Sequence, residues 1–142
     1  MTRILSRSLA AAVLVAIVAA CSAPAASAGA SAPAASGNRP SSPAVVTIVK
    51  PTSGESVTGT SVHVALTLTG AQIVSATTTN IRPDQGHVHL YVDNVLVSMN
   101  YGLEQDLPVH AGTYVLKAEF VAADHAPFNP RVWSPEVFFT VR

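Results

Sequence analysis

Two histidines one residue apart, within Gly86–Asp93 (Gly-His-Val-His-Leu-Tyr-Val-Asp), form the densest group of potential ligands in the chain. Successive side chains of a strand alternate between faces. His87, His89, Tyr91 and Asp93 therefore share one face, and Val88, Leu90 and Val92 share the other. Imidazole nitrogens bind transition metals at about 2.0–2.1 Å, so two rings at this spacing reach inward to one ion. A pair alone holds a metal weakly, and a third ligand decides the chemistry. Asp124-His125, in the stretch before the last apolar run, supplies it if the fold returns that stretch to the start of the His-rich strand. The expected ligands are then His87, His89 and His125. Asp84 or Asp124 serves as a further ligand, or as the acceptor that orients an imidazole. Three imidazoles suit zinc or copper rather than calcium or magnesium. The competing reading is of solvated or hydrogen-bonded histidines that only stabilise loops.

Other chemistry has less support. No Gly-x-Ser-x-Gly nucleophile elbow occurs, and the chain has one cysteine, Cys21. Glu104 and Asp106 read as solvated charges in a loop. A binding module is favoured over an enzyme. A metal-dependent hydrolase is the catalytic alternative, because three histidines with an open fourth position activate water. The segment Asp124–Pro135 is aromatic and stiff, with Phe128, Trp133 and three prolines. Phe128 and Trp133 either form an interaction surface at the tip of the fold or turn back to close the core.

The elements that must position these residues are strands. Val45–Val49, Ser61–Thr69, Gln72–Ala76, the His-rich run, the run after Asp93-Asn94, Leu107–Val121 and Glu136–Val141 are short β-rich stretches separated by turn signals. This is an all-β pattern: an antiparallel, immunoglobulin-like β-sandwich of about seven strands over residues 44–142. In such a sandwich the loop entering the central strand and the loop before the last strand lie at one end, which is what would join His125 to His87. His63 and His110 fall toward the other end. Asp93-Asn94 reads as a two-residue hairpin turn. That turn sets Val92 against Val95, Leu90 against Val97 and Val88 against Met99 on the core side, with His89 across from Ser98 and His87 across from Asn100. Ala111-Gly112-Thr113-Tyr114 resembles a tyrosine corner. Tyr114, Leu116, Ala118 and Phe120 face inward, and Lys117 and Glu119 face out.

The formal net charge is zero over 142 residues, which gives no reason to expect a nucleic-acid partner. The N-terminal end reads as a targeting segment: Arg3 and Arg7, then the apolar run Leu9–Ala20, then Cys21. Val18-Ala19-Ala20-Cys21 resembles the lipobox of bacterial lipoproteins. That resemblance implies a signal peptide over residues 1–20, cleavage before Cys21, and acylation of Cys21. It places the protein outside the cytoplasm, lipid-anchored (as by palmitate) to the bacterial cell membrane. Residues 21–43, rich in Ala, Ser and Pro, read as a flexible tether, and an envelope protein or a metal ion as the partner. With one cysteine, no intrachain disulfide is available and the core alone must hold the domain.

Gly86-His87-x-His89-x-x-x-Asp93, Ala111-Gly112-Thr113-Tyr114 and Asp124-His125-x-Pro127 together resemble a group of short exported bacterial domains of uncharacterised function. The resemblance runs from Ala44 to the C-terminus. It implies an immunoglobulin-like sandwich, with His87, His89, Asp93, Asp124 and His125 as the matching positions, and it transfers no activity. A looser similarity to periplasmic copper-binding sandwiches lacks their N-terminal histidine.

Overall fold

Apolar residues at every second position, broken by Gly, Pro and Asn/Asp turns, produce ten strands and no helix in the computed structural model, which describes residues 38–142. The strands are β1 (Val45–Lys50), β2 (Glu55–Val57), β3 (Ser61–Thr69), β4 (Gln72–Ile73), β5 (Gln85–Val92), β6 (Val95–Asn100), β7 (Glu104–Pro108), β8 (Gly112–Ala122), β9 (Pro127–Trp133) and β10 (Val137–Val141). The count exceeds the expected seven by three: β2 is a very short strand, and residues 104–106 and Pro127–Trp133, read as loops, belong to strands β7 and β9. Glu104 and Asp106 are thus strand residues, and Asp106 Oδ1 accepts from His63 Nδ1–H at 2.9 Å on the exposed face of the small sheet.

One sheet is β1-β3-β7; the other runs β2-β10-β8-β5-β4, with β6 also on β5 and β9 also on β8. The long β8 makes this possible. One of its edges pairs with β5 from Leu116 to Ala122. Its other edge serves β10 up to Leu116 and β9 from Glu119 onward. Between the two partners Ser134 fills the gap: its Oγ accepts from the Ala118 N–H at 2.9 Å and its own N–H donates to the Ala118 carbonyl at 2.8 Å. The Ala118 N–H and carbonyl are thus both paired where the neighbours of β8 change.

The inner faces of the two sheets meet in a core of Val46, Val62, Val64, Val88, Leu90, Leu116, Phe120, Phe128, Phe139 and Val141. Phe120 and Phe128 stack with ring centroids 5.7 Å apart. Tyr114 closes one corner as expected, its hydroxyl donating to the His110 carbonyl at 3.0 Å and its ring stacking on Phe139. Asp93 and Asn94 both have positive φ (50° and 67°), the conformation of a two-residue hairpin turn.

The hairpin register departs from expectation after two residue pairs. Val92 faces Val95 and Tyr91 faces Leu96, but a β-bulge then places Leu90 opposite Ser98, His89 opposite Met99 and Val88 opposite Asn100. The bulge absorbs one residue of β6, so each later side chain changes face relative to β5. Met99 moves from the core side to the histidine side. Val95, Val97 and Met99 are exposed.

Candidate metal centre

His87 and His89 stand on the outer face of the large sheet, because Val88 and Leu90 between and beside them fill the core. Their position depends on Gly86. A Cβ there would lie 1.9 Å from the Val121 carbonyl oxygen, so only glycine lets β5 approach β8 at the point where the histidine run begins. His125 arrives from the turn joining β8 to β9. Ala122 N–H donates to the Ala126 carbonyl at 3.1 Å and His125 N–H donates to the Ala122 carbonyl at 2.9 Å, closing a three-residue turn over Ala123–His125. The third position of such a turn is left-handed, and His125 has φ 64°. Glycine or asparagine suits that position best, and a β-substituted residue there is strained unless its surroundings impose it.

The surroundings do impose it. Arg39 pairs with both carboxylate oxygens of Asp124 (2.5 and 2.8 Å) and donates to the carbonyls of Ala126 and Pro127, both at 2.9 Å. Asp124 Oδ1 also accepts from the Ala126 N–H at 3.2 Å. The Arg39 guanidinium holds the Asp124 carboxyl below the usual carboxylate range. Arg39 belongs to the stretch read as tether, yet it is bound to the β8–β9 turn, so the domain's contacts include residues ahead of Ala44.

The three rings converge. His87 Nε2 lies 3.1 Å from His89 Nε2 and 2.9 Å from His125 Nδ1, and one nitrogen from each ring falls within 4.8 Å of the other two. Tetrahedral bonds of about 2.05 Å place ligand nitrogens about 3.3 Å apart, close to the two short separations. One Nε2 carries a single proton or a single lone pair, so His87 cannot make two full hydrogen bonds through that atom. A cation among the three nitrogens uses all three lone pairs. His87 is 1% exposed and His89 5% exposed, with the Tyr101 ring 5.1 Å from that of His87. Burial, followed by the neighbouring His125 and His89, pushes His87 down to about 4. Burial likewise lowers His89, against the opposing pull of Glu119. Both rings are therefore neutral near pH 7, as metal ligands must be.

The two candidate carboxylates do not join them. Asp84 is partly exposed and lies 3.5 Å from Arg82 Nε, and Asp124 is committed to Arg39. Neither is among the groups whose ligand atoms converge with the histidines. Asp93, at the hairpin turn, accepts from the Val115 N–H at 2.9 Å. Phe128 is buried in the core and offers no interaction surface, while the partly exposed Trp133 packs edge-on against Tyr91 with Lys117 and Arg131 over its ring. The expected recognition loop is thus mostly a strand closing the core. His63 and His110 lie outside the cluster, as expected. Cys21, the expected signal peptide and most of the expected tether lie outside the described residues.

Sequence reasoning missed one buried group beside the site. Glu119 points to the outer face as expected, but it is fully buried between Tyr91 of β5 and Arg131 of β9. It sits opposite His89 in the ladder, accepts two bonds from Arg131 (2.5 and 2.7 Å) and one from the Tyr91 hydroxyl at 3.1 Å. Burial and this carboxylate push Tyr91 up to about 12. The only sequence signal was an Arg and a Trp at alternate positions, Arg131 and Trp133, and it had meaning only once that segment was known to be a strand.

Fold and site together define an immunoglobulin-like β-sandwich bearing a three-histidine cluster on the outer face of its large sheet. Among solved structures it is similar to the fibronectin(III)-like modules of Clostridium thermocellum CbhA, at 24% identity and a TM-score of 0.51. The similarity covers 69% of this chain and 46% of that one, so the chain spans less than half of its neighbour's length. No family model and no curated protein matches the chain.

Proposed function

We propose that the protein is an extracytoplasmic binding module, lipid-anchored through Cys21, that holds one zinc or copper ion with His87, His89 and His125. The observation that carries the metal reading is the convergence of three ligand nitrogens within 4.8 Å on two buried rings and one turn residue. The neutrality of His87 and His89 and the withdrawal of nearby carboxylates into ion pairs favour a borderline or soft ion over calcium or magnesium. The lipid anchor is supported by the order of charged, apolar and cysteine residues at the N-terminal end. The test is metal content after equilibrium dialysis of the purified protein against zinc or copper, beside the double variant His87→Ala/His89→Ala. One ion per chain in the wild type and none in the variant supports the proposal; equal content in both proteins overturns it.

A second reading has one observation of its own. The likeness to the fibronectin(III)-like modules of CbhA favours a structural or protein-interaction module of the cell envelope. It predicts a folded protein whose behaviour is indifferent to metal.

A further inference from the structure

The bulge in β6 carries a consequence for the identity of the ion. Without it Met99 would face the core opposite Val88; with it, Met99 stands directly across from His89. Directly opposed residues on neighbouring antiparallel strands share a face, with Cβ atoms about 4.5–5.5 Å apart. Tyr101, two positions further on, contacts the ring of His87 and marks the same face. Met99 is 55% exposed, so core packing does not hold its thioether. Three rotatable bonds let that sulfur swing toward the ring nitrogens.

The harder ligands nearby are occupied. Glu119 is bound by Arg131 and Tyr91, Asp124 by Arg39, and Asp84 lies beside Arg82. A fourth protein ligand from this face is therefore a thioether rather than a carboxylate. Zinc sites are built from Cys, His and carboxylate ligands, whereas thioether sulfur selects cuprous copper.

We propose, building on the three-histidine reading above, that Met99 is the fourth ligand and that the ion taken at this site is Cu(I). The bulge then has a function: it turns a core-facing methionine into a soft ligand beside His89. The partly exposed position of His125 and Met99 leaves the ion an entry path from solvent, whereas His87 and His89 are closed off beneath.

The test uses the full chain carrying Cys21→Ser, which removes the one thiol, with Met99 intact or replaced by Leu. Cu(I) is supplied under reducing, anaerobic conditions against a competing chelator, and Zn(II) in a parallel titration. The expected result is a loss of about tenfold or more in Cu(I) affinity for Met99→Leu, with zinc affinity unchanged. X-ray absorption of the Cu(I)-loaded protein should show a copper–sulfur distance of about 2.3 Å that disappears in Met99→Leu. Metal binding through the histidines with no copper–sulfur signal and no effect of Met99→Leu overturns the methionine assignment alone. Binding of neither ion overturns the three-histidine reading with it.

Discussion

His125 is the residue whose backbone argues most directly for a role beyond folding. It occupies a left-handed position at φ 64° where glycine would be more stable, and it brings a nitrogen to 2.9 Å from His87. Replacing it separates the two demands. In the metal-free protein His125→Gly should be more stable than His125→Ala by about 1 kcal/mol, because glycine adopts the turn without strain. Both variants should lose the third ligand; urea unfolding and a metal titration on the same samples read the two effects. His87 supplies a pH signature. Its imidazole is held at about 4 in the folded protein and returns to about 6.5 when unfolded. Between those values the unfolded chain binds the additional proton, so stability is full above pH 6.5 and falls as pH drops toward 4. The loss is about 3 kcal/mol from this group, with His89 acting in the same direction. Urea midpoints of the metal-free protein at pH 7 and 4.5 should differ accordingly, and His87→Gln should flatten the dependence.

At the scale of elements, the site is built where three connections meet: the start of β5, the β8–β9 turn and the segment around Arg39. Gly86→Ala should cost about 2 kcal/mol or more, because the new methyl meets the Val121 carbonyl and one strand must shift away from the other. Removing the clamp acts on the turn instead. Arg39→Ala frees the Asp124 carboxylate and two carbonyls at a partly buried ion pair, with an expected loss of about 2 kcal/mol and weaker metal binding; thermal melts and titration of the variant check both. These elements also show what was legible in the sequence. The alternation in Gly86–Asp93 placed His87 and His89 on one face, and Asp93-Asn94 marked its turn correctly, because both signals are local. The bulge near Leu90 and Tyr91 carried no such signal, since it arises from how β6 settles against β5. The strand nature of Pro127–Trp133 was hidden by its prolines, which normally argue against a strand. Here Pro130 lies on a strand with only β8 as its partner. Burial of Glu119 followed from that hidden strand and was equally unreadable.

For the whole molecule, a sandwich that contains no cysteine relies on its core and on any ligand it binds. Phe128 joins β9 to that core through Phe120, so Phe128→Ala should cost about 3–5 kcal/mol and loosen the turn that carries His125. The convergence of His125 with His87 and His89 was readable from the sequence only through the fold class, which places the two connections at one end; the face of the sheet on which they meet was set by the packing of Val88 and Leu90. An ion that binds the folded state alone must raise its stability by mass action. The most direct measurement is therefore the thermal midpoint of the wild type and of His87→Ala/His89→Ala, each with chelator and with copper or zinc in excess of the protein. The account predicts a rise of about 10 °C on adding metal to the wild type and none in the variant. Midpoints unmoved by either metal in both proteins would contradict it.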